Sequence, residues 1–550
     1  LFLGSVRSVV IPVIAIPLSL IGTFFMMLLL GYSINLLTLL ALVLAIGLVV
    51  DDAIIVVENV HRHIEEGMSP FKAALQGARE LANPIIAISV VLIAVYVPIG
   101  FMGGLTGALF TEFAFTLAGA VGISAVVALT LSPMMCSKFL HPLHNNHNRN
   151  HKWVQFIDTQ FEKLRLSYQR VLNHSLDFLP VTGVFATVIL LSIYFLYSTS
   201  KSELAPQEDQ GIIIALLTTA PNASLQQTEL YSRLVNKIFM RIPETDHTFQ
   251  LDGVNGLNSG IAGMVLDPWD ERHRTTNQLQ PEIQNLLDKV PGAKTAAFQP
   301  APLPGAGGGL PMQFVINTTE SYDKLDRVSK LVMQKAQESG LFLYLDSDLK
   351  IDKLQTTIHL QRDKAAQLGL TMQDIGNVLA ASLGANYINF FNLDGRSYKV
   401  IPQVLRAERQ NDNQLLNYYI TAANGTSVPL STIAQLKRKV VPESINHFQQ
   451  LNSATISGVT PPSVTLGEAL EKMKAIADEV LPQGYSVDYA GQSRQFIQES
   501  AALIITFFFA LIIIFLTLAA LFESFRDPLI ILVSVPMSIC GAMIFISLGI

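Results

Sequence analysis

Two kinds of hydrophobic pattern divide the chain. Unbroken apolar runs of about 20 residues, the length that crosses a hydrocarbon core, fill 9–30, 36–57, 84–101, 113–135, 178–197, 502–522 and 528–550. From about 198 to 500 the apolar runs are short and periodic. There "GIIIALLTTA" (211–220) alternates as a strand, "SLQQTELYSRLVNKIFMRI" (224–242) has helical spacing, and strand alternation returns around His247–Leu251. A second set follows as "MQFVINT" (312–318), a helix over 321–338 and "LFLYLDS" (341–347). Strand, helix, strand, given twice, predicts ferredoxin-like split βαβ modules. An insert at 355–439 carries its own helix (371–383) and the hairpin signal "NLDGRSYKV".

Charge orients this pattern. Arg7 precedes the first run; Arg62, Lys72 and Arg79 lie between the second and third; and Lys138, Arg149, Lys152, Lys163, Arg165 and Arg170 lie between the fourth and fifth. Arg526 separates the last two, while the connection between the first two runs and residues 102–112 hold no Lys or Arg. By the positive-inside rule the basic connections are cytoplasmic and the long segment lies on the outer side. The predicted fold class is an integral membrane α-helical bundle with a large outer α+β domain of ferredoxin-like βαβ modules, a domain that is periplasmic if the resemblance given below holds. The predicted division is 1–198 transmembrane with a cytoplasmic loop at 138–176, 199–309 and 310–354 with 440–497 as two periplasmic modules, 355–439 as the insert, and 498–550 transmembrane.

Composition agrees: half of the residues are hydrophobic and 15% charged, too apolar for an ordinary soluble enzyme of this length. A formal charge of -6 gives no case for nucleic acid as a partner. Cys136 and Cys540 both fall in apolar runs, so no disulfide framework is expected. "LFLGSVRSVV" has neither an initiator Met nor a signal-peptide pattern, and is expected to open an excised or incomplete piece. One internal repeat is visible. Residues 5–25 lie over 524–544, matching Ser5 with Ser524, Arg7 with Arg526, Pro17 with Pro536, Ser19 with Ser538 and Gly22 with Gly541. Parallel repeats of this kind occur in transporters.

The chemistry concentrates in "GLVVDDAIIVVENV" (47–60), where Asp51 and Asp52 interrupt an apolar span. Each acid at a helix centre costs about 2.5–3.5 kcal/mol, and such residues face the bundle interior and mark ion or proton pathways. Neighbours on a helix point about 100° apart, so the two acids cannot share one partner, but both can face a polar seam and exchange one proton as a coupled unit. Glu58, nearer the cytoplasmic end, reads as an interfacial acid. Other classes fit poorly. An intramembrane aspartyl protease needs acids converging from separate helices, and no Gly-x-x-x-x-Gly-Lys-Ser/Thr nucleotide motif occurs. No cofactor is expected, and the expected energy source is a proton gradient. "HPLHNNHNRNH" (141–151) reads as a solvated loop, the Gly-rich 303–311 as a linker, Ala118 with Gly122 as close helix packing, Trp269 as a core or interface anchor, and the Met26–Met27 and Met134–Met135 pairs as packing rather than metal ligands.

"LALVLAIGLVVDDAIIVVENV" resembles the fourth transmembrane helix of the resistance-nodulation-division exporters, in their hydrophobe/amphiphile branch. "FMGGLTGALFTEFAFT", "LAPQEDQGII", "NSGIAGMVLDPWDER", "LGANYINFFNLDGRSYKV" and "LAALFESFRDPLIILVSVP" are similar to further runs of that family, in its order. The resemblance implies that Asp51 and Asp52 carry protons from periplasm to cytoplasm, with the basic partner of the pair on a helix outside this chain. It implies two porter modules, a docking insert, and an inner-membrane homotrimer working with a periplasmic adaptor protein and an outer-membrane channel. Amphiphilic small molecules would be taken from the periplasm or from membrane lipid. The family positions that carry pocket aromatics hold Leu257 and Gly263, which makes Val254, Leu257, Ile261 and Met264 candidate substrate-wall residues. The runner-up is a transporter of the same superfamily moving lipids or metal ions, or assisting protein export.

Overall fold

A computed structural model describes residues 6–140, 152–200, 202–203, 205–303, 308–384 and 386–548. The His-rich 141–151 and the middle of the Gly-rich linker lie outside the described residues. The chain forms two compact units, residues 1–206 with 494–550, and residues 207–493.

The first unit is helical. Its first six helices are α1 (Val6–Leu30), α2 (Leu36–Glu65), α3 (Pro70–Gly100), α4 (Gly104–Phe139), α5 (Lys152–Asp177) and α6 (Leu179–Thr199). Among the described residues seven helices are long and apolar enough to cross a membrane, one for each predicted run. Several run further than the apolar pattern. Pro84, the predicted start of the third span, lies inside α3, which begins at Pro70 behind Ser69 and continues through the polar Lys72, Gln76, Arg79 and Glu80. The apolar count sees only the part suited to lipid; nothing in the preceding polar turns stops the helix.

Helix α4 packs on α1, α2 and α3. Contact is closest where side chains vanish: a Cβ on Gly119 would lie 2.4 Å from Met26 Cε, and one on Gly22 2.8 Å from Ile123 Cγ2. Gly122, the expected close-packing position, has only Ile93 Cδ1 at 3.9 Å, an ordinary contact; the tight approach belongs to its neighbours on either side of the seam. Helix α2 is fixed at its start by a capping box between Asn35 and Thr38, and Asn35 Nδ2 donates to Glu112 of α4 at 2.7 Å. The expected cytoplasmic loop at 138–176 is a helix over much of its length. Leu164, Tyr168, Val171 and Ser175 of α5 recur at helical spacing on one side, between Arg165, Arg170 and Asp177.

The second unit contains two sheets of like topology. In the first, β1 (Ile212–Thr219), α7 (Leu225–Phe239), β2 (Thr245–Asp252), β3 (Ser259–Leu266), α8 (Thr276–Leu287) and β4 (Ala293–Phe298) form an antiparallel sheet ordered β2-β3-β1-β4. Ile213 and Leu217 of β1 alternate inward to meet Val235 and Phe239 of α7 and Leu279, Ile283 and Leu287 of α8. Trp269 is no core anchor: it is 73% exposed, with Nε1 donating to the Asp209 carbonyl at 3.0 Å, because the turn before α8 leaves it outside the sheet.

The second sheet uses β5 (Met312–Thr318), α9 (Tyr322–Glu338) and β6 (Tyr344–Ser347), then resumes after the insert. The insert opens with β7 (Ile351–Leu360), α10 (Arg362–Gln367) and α11 (Met372–Leu383), the last capped by Thr371 and Asp374. Next come β8 (Asn389–Leu393) and β9 (Arg396–Val400), joined by Asp394 and Gly395 with φ of 51° and 75°, the two positive values a tight hairpin turn needs. The insert closes through β10 (Tyr419–Thr421), β11 (Ser427–Pro429) and β12 (Ala434–Pro442), the last paired with β7 as a stem. Then β13 (His447–Phe448), β14 (Leu451–Val459), α12 (Leu466–Val480) and β15 (Tyr485–Tyr489) complete the order β13-β14-β5-β15, with β6 on β14. Phe298 and Ala296 of the first sheet meet Leu310 and Val459, a small core shared by the two.

Three helices end the described chain: α13 (Gly491–Phe522), α14 (Arg526–Leu532) and α15 (Ser534–Leu548). In the first unit Glu499 of α13 reaches the start of α4, where its Oε1 accepts from Leu105 N at 2.9 Å. Helix α15 packs on α6, with Cys540 Sγ 3.2 Å from Ser192 Oγ. The repeated sequences therefore bury different faces: α1 turns Ser19 and Gly22 inward, whereas Gly541 has open space around it.

Candidate functional site

The buried stripe of α2 runs through Ala41, Ala45, Val49, Asp52, Val56, Val60 and His63, steps of three and four that keep one side of a helix inward. Asp52 falls on this stripe and Asp51 does not: Asp52 is 7% exposed, and Asp51 is exposed on the neighbouring face. Asp52 Oδ2 accepts from Ser124 Oγ of α4 at 2.8 Å. The next residue, Ala53, packs with Ala15 of α1 and Val127 of α4, so three helices meet beside the carboxyl. Glu58 is exposed.

The surrounding seam is polar for a membrane interior. Ser19 and Thr23 of α1 and Thr116 and Ser132 of α4 are buried, and Thr23 Oγ1 donates to the Ser19 carbonyl at 2.8 Å. The hydroxyls of Ser19, Thr116 and Ser132 have no hydrogen-bond partner among the described residues. An ionised Asp52 can only accept; once protonated it can also donate. Proton uptake therefore adds a donor to what the carboxyl presents to the helices around it.

Three turns further along the same stripe, His63 is 6% exposed between two carboxylates. Its Nε2 lies 2.9 Å from Glu80 Oε2 of α3 and its Nδ1 3.1 Å from Glu66 Oε2. Gln76 and Asn59 also donate to Glu80, at 3.0 and 3.4 Å, and Arg62 is 3.5 Å away. Each ring nitrogen of His63 thus faces a carboxylate oxygen. Sequence reasoning passed over this clamp and over Glu499. The available signal for His63 was its place eleven residues after Asp52 on the same stripe; Val56 and Val60, both fully buried, separate the two.

The four substrate-wall candidates do not share one surface. Val254 and Leu257 are exposed in the β2–β3 connection, and Ile261 lies on the β3 face turned away from the helices. Met264 points the opposite way, fully buried among the residues of α7 and α8. It is a core residue, because three positions along a strand reverse the side.

Seven helices long and apolar enough to cross a membrane among the described residues, an acid buried where three helices meet and a large mixed α/β unit are the features of a multi-pass membrane protein. The family model described as AcrB/AcrD/AcrF matches residues 1–549. An uncharacterized transporter of Haemophilus influenzae is 41% identical over 552 residues, covering 100% of this chain and 53% of the relative. The chain belongs to the AcrB/AcrD/AcrF family of resistance-nodulation-division permeases, a family of transporters rather than enzymes. It spans about half the length of the curated relative it matches.

Proposed function

We propose that the protein is a proton-coupled antiporter that exports drugs or other amphiphilic compounds from the periplasm or inner membrane. The observation that carries this reading is Asp52, a buried acid within a span, bonded across helices to Ser124 at 2.8 Å in a chain of a transporter family. Asp52 takes up a proton, and Asp51, on the adjacent face, exchanges it with its surroundings. The α2–α4 contact then shifts between two hydrogen-bonding patterns, and the helix packing follows as a population shift.

In this reading the bundle sits in the bacterial inner membrane and residues 207–493 are periplasmic. The two β-α-β-β-α-β sheets are ferredoxin-like porter modules, an assignment supported by their common strand order. The insert is the docking part, and the working form is a homotrimer with a periplasmic adaptor and an outer-membrane channel. Val254, Leu257 and Ile261 contribute an aliphatic substrate wall.

The test uses the full-length gene in an efflux-deficient bacterium, comparing accumulation of a fluorescent amphiphile between wild type and Asp52→Asn at matched membrane expression. Low accumulation with wild type and high accumulation with the variant is expected. Equal low accumulation would remove Asp52 as an essential proton carrier, and equal high accumulation would remove amphiphile export.

A further inference from the structure

We propose that the elbow between α5 and α6 is a binding site for an anionic phospholipid. A groove of about 770 Å³ lies at this elbow, within the roughly 300–1,000 Å³ typical of ligand sites. Its lining separates by chemistry along the chain. Arg170 and His174 come from the last two turns of α5, while Phe178, Val181 and Phe185 carry the wall onto α6, whose apolar span starts at Pro180. The cationic end therefore stands where the hydrocarbon-crossing segment begins, and the apolar end runs along that segment. A phosphate diester with acyl chains has the same arrangement.

The elbow is a built corner. Thr182 Oγ1 donates back across it to the Ser175 carbonyl at 2.9 Å, and Val181 N donates to the Phe178 carbonyl at 3.0 Å. Arg170 is available for an anion: Nε donates to the Leu166 carbonyl at 3.3 Å, which lays the side chain along α5, and no carboxylate pairs with its guanidinium among the described residues. Arg165, one turn and a residue earlier, is instead engaged by Glu162 at 2.5 Å and does not line the groove. Phe178, Val181 and Phe185 are all more than half exposed in this chain, an apolar surface suited to acyl chains. Charge complementarity selects the headgroup: a guanidinium with an adjacent imidazole suits a phosphate that carries net negative charge, as in phosphatidylglycerol, over a zwitterionic headgroup.

The site is tested on the full-length protein purified in mild detergent, by native mass spectrometry during titration with dioleoyl phosphatidylglycerol or dioleoyl phosphatidylcholine. Wild type is expected to retain the anionic lipid at least about five-fold better, the size of one basic residue's attraction near an anionic surface. Arg170→Ala combined with His174→Ala should abolish that ratio, Arg170→Lys should keep most of it, and Arg165→Ala should leave it unchanged. If the double variant does not fold, Arg170→Gln alone is read by the same ratio. Equal retention of both lipids by wild type would overturn the proposal. So would an equal loss from Arg165→Ala, which would mean diffuse attraction along α5, or displacement of bound phosphatidylglycerol by dodecyltrimethylammonium in preference to inorganic phosphate and phosphatidylcholine, which would mark the groove as a cationic-amphiphile site.

Discussion

Asp51 and Asp52 are adjacent in the chain, yet one is exposed and the other lies against Ser124 in a seam of three helices. Replacing Ser124 by Ala leaves a buried carboxyl oxygen without its donor, at a cost of about 1–3 kcal/mol. The full-length protein in detergent should lose thermal stability with Ser124→Ala and recover most of it with Ser124→Thr; an unchanged melting temperature in the Ala variant would contradict the bond. In the mixed unit, Arg274 donates to both oxygens of Glu244 at 2.5 and 2.6 Å and holds that carboxyl below its ordinary value of 4.5. A depressed native pKa contributes stability that is present above about pH 4.5 and lost as pH falls through the lower native value. Glu244→Gln should therefore lower the melting temperature at pH 7, and the gap to wild type should shrink as pH falls below about 4.5. A gap independent of pH would assign the loss to packing instead. The Asp pair was legible in the sequence because an acid in an apolar run is costly enough to stand out. Ser124 was not, since several serines and threonines punctuate these spans and only the register of α2 against α4 selects the one that bonds.

Helices and strands show the same split between pattern and partner. The seven spans and the periodic elements of the mixed unit are readable because their hydrophobic spacing is long and regular. Their ends are less so: Pro84 looked like a boundary, but α3 runs through it. Helix α5 lies in the connection expected to be cytoplasmic, and its narrow apolar stripe and high polar content give no spanning signal. Met264 and Leu257 looked alike as aliphatic wall positions, yet β3 turns Met264 into the core and leaves Leu257 outside. Met264→Ala should cost about 2–5 kcal/mol of stability, while Leu257→Ala should stay within about 0.5 kcal/mol and alter only amphiphile affinity. Equal melting temperatures for the two variants would contradict that placement. At the start of α4, Glu499 of α13 accepts from the backbone N–H of Leu105, where the helix dipole favours negative charge. Glu499→Ala is expected to destabilise by about 0.5–2 kcal/mol, read as a lower melting temperature; no change would mean the cap contributes nothing.

Across the first unit α4 is the shared partner: α1, α2 and α3 pack on it, Ser124 ties it to Asp52, and Glu499 joins its start to α13. A change in what Asp52 donates or accepts therefore reaches several helices through one. The His63 clamp joins the far end of α2 to α3. The helix inventory and the division into a spanning part and a mixed α/β part were readable from composition and period, whereas the central place of α4 depends on contacts far apart in sequence. The central claim is that protonation of Asp52 drives export. Its most direct test is proton movement in liposomes holding the full-length protein, with an imposed pH gradient, an internal pH-sensitive dye and ethidium as the cationic amphiphile. Ethidium should accelerate decay of the gradient with wild type and have no effect with Asp52→Asn, while the variant's melting temperature stays near that of wild type. Equal acceleration by both proteins would contradict the account.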